Sequence, residues 1–138
     1  ISDLNFKEKK WLEHNKTLFG PRADMWDNKK VGITGPPIET KDGWLLIYHG
    51  VSNPGNIYKL GAALLDLQDP SQVIARTDYP IFEPEMAYEK EGCMPNVVFS
   101  CGVVVIKNKL FVYYGGADKV IGVATINLSK LLKNLNNT

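Results

Sequence analysis

The chain has 138 residues, 44% hydrophobic and 22% charged, and its 16 basic against 15 acidic side chains leave a formal net charge of +1. A near-neutral chain lacks the electrostatic footprint of non-specific nucleic-acid binding, and its apolar stretches fall far short of the ~20 residues that span a bilayer, so neither nucleic acid nor a membrane is an expected partner. What remains is one ordinary globular domain or part of one. Two cysteines, Cys93 and Cys101, and two histidines, His14 and His49, make no metal-binding quartet; no metal site is expected, and both cysteines read as small buried hydrophobes.

From the N-terminus, Asn5 to Glu13 is a short stretch of helical character. Strand-like runs then alternate with turn signals: Val31–Ile33, Pro37–Thr40, Trp44–Val51 after Lys41-Asp42-Gly43, Ile57–Leu67 after Asn53-Pro54-Gly55-Asn56, and Val73–Thr77 after Asp69-Pro70-Ser71. An acidic connection with Glu83, Glu85, Glu89 and Glu91 reads as a solvated loop. Asn96–Ile106, Leu110–Gly116 and Val120–Leu128 are further strands, and Leu128–Leu135 is a helix with Ser129 as its expected N-cap.

The chain also repeats itself. Trp44-Leu45-Leu46-Ile47-Tyr48-His49-Gly50 matches Leu110-Phe111-Val112-Tyr113-Tyr114-Gly115-Gly116, an offset of 66 residues, and Leu60-Gly61-Ala62-Ala63-Leu64-Leu65-Asp66-Leu67 matches Ile121-Gly122-Val123-Ala124-Thr125-Ile126-Asn127-Leu128, an offset of 61. Two copies of a hairpin with a Gly-bearing second strand suggest antiparallel blades packed face to face, the pattern of a β-propeller. A β-sandwich would not need the repeat. Propellers close with at least ~4 blades and this chain supplies about two and a half: a remnant over 1–29, blades over 30–82 and 96–128, and a helix over 129–135. Exposed strand edges are a liability, so the expectation is that the rest of the ring belongs to a longer protein or that copies associate through the open blade edges. The chain opens on Ile1 without a charged n-region or an apolar h-region, and it reads as a piece of a longer, cytoplasmic protein.

Several strings carry a closer likeness. Met25-Trp26-Asp27, Lys30-Val31-Gly32 with Gly35-Pro36-Pro37-Ile38, Asp42-Gly43-Trp44 through Val51, Leu60 through Asp66, Pro95-Asn96-Val97-Val98-Phe99, Tyr113-Tyr114-Gly115-Gly116-Ala117-Asp118 and Val120 through Thr125 resemble glycoside hydrolase family 130 over residues 11–133. The resemblance implies the C-terminal portion of a five-bladed β-propeller. It also implies an inverting β-1,4-mannoside phosphorylase as the parent protein, in which inorganic phosphate, the co-substrate, attacks a β-mannoside and releases mannose 1-phosphate. No metal or organic cofactor is implied. The string Gly32-Ile33-Thr34-Gly35-Pro36-Pro37 departs from the family's usual small residues and extra proline, which bears on that loop's shape.

By the same resemblance Lys30 and His49 are phosphate-binding, an ammonium point charge and a directional imidazole, and Asp118, Tyr58 and Phe99 are substrate-binding. Asp118 lies three residues past Gly115, the repeat partner of His49, so both should face one funnel. Without the resemblance Lys30 is a solvated strand-end lysine, His49 a core histidine, Asp118 a turn residue and the two aromatics core. The family's general acid is an aspartate upstream of the matched region, so no catalytic residue is expected in this chain. Arg22 reads as a local ion pair with Asp24 or Asp27, and His14 as surface. Lys30 and His49 together favour phosphorolysis; a β-mannoside hydrolase and a non-catalytic carbohydrate-binding or assembly module are the alternatives.

Overall fold

The computed structural model describes residues 2–8, 10–13 and 17–137; His14 lies outside them. In chain order they form β1 (Ser2–Asn5), β2 (Lys10–Glu13), β3 (Lys30–Ile33), β4 (Ile38–Thr40), β5 (Gly43–Val51), β6 (Tyr58–Leu65), β7 (Val73–Arg76), α1 (Ala87–Lys90), β8 (Val98–Ile106), β9 (Lys109–Gly116), β10 (Val120–Asn127) and α2 (Leu128–Leu135). The strands make a β1–β2 hairpin, a sheet in the order β3-β5-β6-β7 with β4 also on β5, and a sheet in the order β10-β9-β8. The stretch expected to be helical near the N-terminus instead begins and ends in the two strands of the hairpin, with Leu4 opposite Trp11. An isolated helix that short does not offset its nucleation cost, whereas a hairpin pairs its backbone groups.

The two larger sheets pack face to face, as adjacent propeller blades do. Period-2 alternation sets which residues meet. Leu45 and Ile47 of β5 stand beside Leu60, Ala62 and Leu64 of β6, and this face buries against Val98, Leu110, Val112 and Tyr114 of the second sheet and Leu131, Leu132 and Leu135 of α2. β5 is buried on both faces, because residues 17–29 cover its other side, where Tyr48 packs against Phe19 and Trp26. β10 alternates instead, and Ile121 and Val123 lie exposed on its outer face.

The sequence repeat has a physical core. Tyr48 stands opposite Gly61, and Tyr114 opposite Gly122. A Cβ on Gly61 would lie 2.6 Å from Tyr48 Cζ, and one on Gly122 2.8 Å from Tyr114 Cζ, so each phenol lies across the bare backbone of the next strand. Each hydroxyl then donates to a buried carboxylate: Tyr48 to Asp27 Oδ2 at 3.0 Å and Tyr114 to Glu89 Oε1 at 2.6 Å. Burial pushes the Tyr48 hydroxyl up to about 12, although hydrogen bonding and charge from Arg76 pull the other way; burial and the bond to Glu89 raise Tyr114 as well.

Four expectations are corrected. Glu89 is only 1% exposed, not solvated. Burial would raise its pKa, but bonds from Tyr114 and from the N–H groups of Met86 and Glu85 outweigh that and hold it below the usual glutamate range. Cys93 and Cys101 are both exposed; the register of β8 shifts between Ser100 and Gly102, a bulge that leaves Cys101 unpaired and outside the core. The N-cap of α2 is Asn127, in extended backbone, accepting from Lys130 N–H at 3.0 Å. Ser129 instead donates to Asn108 Oδ1 at 2.9 Å.

The tyrosine-on-glycine packing sets the first expected outcome. Gly122→Ala forces the Tyr114 ring aside and should lower the unfolding free energy by about 1–3 kcal/mol. Thr125→Ala, on the exposed outer face of β10, should stay within about 0.5 kcal/mol. Urea titration followed by circular dichroism measures both.

Candidate active-site notch

His49 stands third from the end of β5, on the face that looks toward the second sheet. Its ring lies 4.8 Å from that of Phe99 and 6.0 Å from that of Tyr58, centroid to centroid. Opposite it on β3 stands Gly32, and a Cβ there would lie 2.4 Å from His49 Cε1; the glycine is what admits the imidazole. The residue is 6% exposed, and neither Nδ1 nor Nε2 has a hydrogen-bond partner among the described residues. Buried polar atoms are nearly always paired, and leaving them unpaired costs about 1–3 kcal/mol.

Lys30 opens β3 opposite Val51. The alternation that puts Gly32 against His49 puts Lys30, two residues away, on the same face of the sheet, and its charge reaches the imidazole. Burial first, and the Lys30 ammonium second, hold His49 below the ordinary histidine range. The ring is therefore neutral near pH 7, with one N–H to donate and one lone pair to accept.

Tyr58, Phe99 and Asp118, predicted from separate parts of the sequence, line one cavity of about 220 Å³ with Met94 and Val97. Tyr58 and Phe99 also form the aromatic wall against His49, 6.3 Å apart and edge to face. Asp118 reaches the cavity from the β9–β10 turn, where Ala117 and Asp118 have φ of 49° and 51° and Lys119 N–H closes on Gly116 O at 3.0 Å, the geometry of a type I′ turn. Asp118 is thus both a turn residue and a cavity wall. The turn is tied down by Ala117 N–H on Val97 O at 2.9 Å, and Val97 N–H bonds Glu89 O at 3.1 Å. Met94 was not singled out in the sequence and carries no chemical signal there; Val97 and Gly32 were visible only as parts of the Pro95–Phe99 and Lys-Val-Gly strings.

Arg22 forms the ion pair expected of it, but with Asp27 at 3.0 Å and Asp78 at 3.5 Å, not with Asp24. Arg76 also reaches Asp27, at 2.7 Å. Among the described residues no cluster of His, Cys, Asp and Glu is placed to hold a metal ion. No helix among them is long and apolar enough to cross a membrane.

A cation and an unpaired imidazole on one sheet face, beside a cavity with aromatic walls and a carboxylate, can grip an oxyanion next to a hydroxyl-rich ring. Residues 7–137 match the family model described as beta-1,4-mannooligosaccharide phosphorylase. The chain belongs to glycoside hydrolase family 130. It is 55% identical to the 1,2-beta-oligomannan phosphorylase of Thermoanaerobacter sp. (strain X514), over 89% of this chain and 41% of that protein. It is 38% identical to the beta-1,4-mannooligosaccharide phosphorylase of Ruminococcus albus, over 84% of this chain and 35% of that protein. The β-1,2-mannobiose phosphorylase of Listeria innocua, solved with β-1,2-mannobiose, superposes with a TM-score of 0.83 at 42% identity, over 86% of this chain and 33% of that one. The chain spans less than half the length of the relatives it matches, and its two larger sheets are part of the propeller of this family.

The electrostatics of the notch give a direct check. In an NMR titration the His49 ring protons should report a pKa below the ordinary ~6.5, and Lys30→Met should raise it by removing the repelling charge. Because the unfolded chain takes up this proton at higher pH than the folded one, stability should fall as pH drops through the ordinary histidine range. A His49 pKa unchanged by Lys30→Met would contradict the shared face.

Proposed function

We propose that the protein to which this chain belongs is an inverting β-mannoside phosphorylase and that this chain supplies the phosphate-binding half of its site. The observation that carries the reading is the β3–β5 register, which sets Lys30 on the same face as an imidazole that is buried and unpaired. Phosphate would take a hydrogen bond from the His49 N–H and the charge of Lys30. Asp118 would accept from mannosyl hydroxyls, with Tyr58 and Phe99 as apolar walls against the ring faces. A phosphate oxygen then forms the new bond to the anomeric carbon as the bond to the aglycone oxygen breaks with inversion, and the leaving oxygen takes its proton from the general acid, which this reading places outside the chain.

The 1–29 remnant, the blades over 30–82 and 96–128 and the terminal helix remain our division of the fold. The exposed outer face of β10, where Ile121 is 89% exposed, fits a blade awaiting its neighbour. The linkage is left between β-1,4, which the family resemblance implies, and β-1,2; the Thermoanaerobacter relative, named for β-1,2 chemistry, is the more similar of the two at 55% identity against 38%, and we favour β-1,2.

Supplying the whole parent protein with β-1,2- and β-1,4-mannobiose, with and without phosphate, should yield mannose 1-phosphate only when phosphate is present. Phosphate-independent release of mannose would make it a hydrolase. Lys30→Met should raise KM for phosphate at least about tenfold, the loss of one charge-assisted contact. Asp118→Asn should instead raise KM for the mannoside.

A further inference from the structure

A cavity larger than the one beside the notch lies on the far side of the β5–β6 pair from His49. It encloses about 610 Å³ and is walled by Trp26, Tyr79, Asp24, Asp78, Lys59 and Glu83, among others, well within the range of roughly 300–1,000 Å³ that small-molecule sites occupy. Nothing in the phosphorolysis reading uses it.

Its aromatic floor is built in. A Cβ on Gly50 would lie 2.5 Å from Trp26 Cζ3, and one on Gly61 would lie 2.7 Å from Trp26 Cζ2; two glycines on the neighbouring strands β5 and β6 thus seat the indole, which stacks on Tyr48 at 5.6 Å and 23°. Tyr79, by contrast, is 83% exposed and adds a second aromatic ring to the lining. The charges are arranged in pairs. Lys59 holds Glu83 at 2.6 Å, and Asp78 lies 3.5 Å from Arg22, which leaves Asp24 as the one unbalanced charge among the lining residues. Such a cleft repels phosphorylated or carboxylated ligands, and its lysine does not suit a cationic one. Carboxylates that accept from hydroxyls, in one cavity with two aromatic side chains, suit an uncharged pyranose.

We propose that the cleft between residues 24–26 and 78–83 is a second carbohydrate-binding site, specific for neutral saccharide and independent of phosphate. It lies beyond the phosphorolysis reading, because Trp26 rests on Gly50 and Gly61, whose strand neighbours His49 and Leu60 face the other way. A sugar unit held there keeps a chain close to the protein without entering the phosphate notch.

The test is an NMR titration of the 138-residue chain with β-1,2-mannobiose, and separately β-1,4-mannobiose, in phosphate-free buffer. The Trp26 indole N–H, which has no acceptor among the described residues, is the reporter for the cleft, and Phe99 and Asp118 are reporters for the notch. The Trp26 signal should shift and saturate with either sugar. Tyr79→Ala, at a site too exposed to disturb folding, should weaken that response at least about tenfold while leaving the Phe99 response as it was; Asp118→Asn should do the reverse. Mannose 1-phosphate should leave Trp26 unmoved. A Trp26 signal that stays still with both disaccharides, or that saturates identically in Tyr79→Ala, overturns the cleft as a site even where Phe99 and Asp118 respond. Shifts at Trp26 with none at Phe99 or Asp118 would uphold the cleft and count against the notch.

Discussion

A phenol laid across a glycine and ending on a carboxylate hidden from water occurs once in each of the two larger sheets, and most of the architecture can be traced from it. Gly61 and Gly122 must be bare for Tyr48 and Tyr114 to cross the next strand. Asp27 and Glu89 must be buried for the hydroxyls to end on them, and burying a carboxylate is costly unless it is fully bonded. The two sheets meet that cost differently. Asp27 takes bonds from Tyr48, from Arg22 through two nitrogens, and from Arg76. Glu89 takes bonds from Tyr114 and from two backbone amides at the start of α1. The first is a charge network and the second relies on oriented peptide dipoles, so the two sheets share a constraint without sharing its chemistry.

Both acids belong to the segments that lead into an edge strand of their sheet. Asp27 precedes Lys30 by three residues, so anchoring it beneath Tyr48 sets where β3 begins. Asn28 bonds the backbone of Asn53 on both sides and Lys29 bonds Asn56, which fastens the same segment to the β5–β6 loop. In the second sheet Glu89 O holds Val97, Val97 O holds Ala117, and Ala117 O holds Met94. The cavity walls therefore hang from Glu89, as the start of β3 hangs from Asp27. Neither acid lines the notch or its adjoining cavity; both decide where the lining residues stand.

This explains how much was legible beforehand. The strands and the two-blade repeat could be read because they rest on local alternation and on the 66- and 61-residue offsets, and local patterns survive in a one-dimensional string; the grouping of Tyr58, Phe99 and Asp118 came from the family resemblance instead, since strand alternation alone makes the two aromatics core. Burial of Glu89 could not be read from its own neighbourhood, where Glu83, Pro84, Glu85 and Glu91 make a solvated loop the natural expectation. The signal lay elsewhere: a tyrosine at position 48 that has a carboxylate implies that its repeat partner, at 114, has one too. Cys101 was misjudged for a related reason, since a bulge changes which residues face inward after it and composition does not record a bulge. The short N-terminal hairpin was missed because periodicity over so few residues does not separate helix from strand.

The contrast between the two acids and His49 bears on the proposed reading of the notch. A histidine kept for packing would be expected to satisfy at least one ring nitrogen, as Asp27 and Glu89 satisfy their oxygens within the same fold. His49 satisfies neither, although Gly32 has been left bare to admit it and Lys30 stands on its own face. Each of those choices lowers stability in the empty protein: an orphaned polar ring, a glycine within a strand, and a cation where burial already disfavours a second charge. One bound dianion reverses the electrostatic part, giving the imidazole an acceptor for its N–H and turning the Lys30 charge from a repulsion into an attraction. The same fold thus saturates its two buried carboxylates with hydrogen bonds and leaves both nitrogens of His49 unsaturated at a strand end where, on this reading, a substrate completes them.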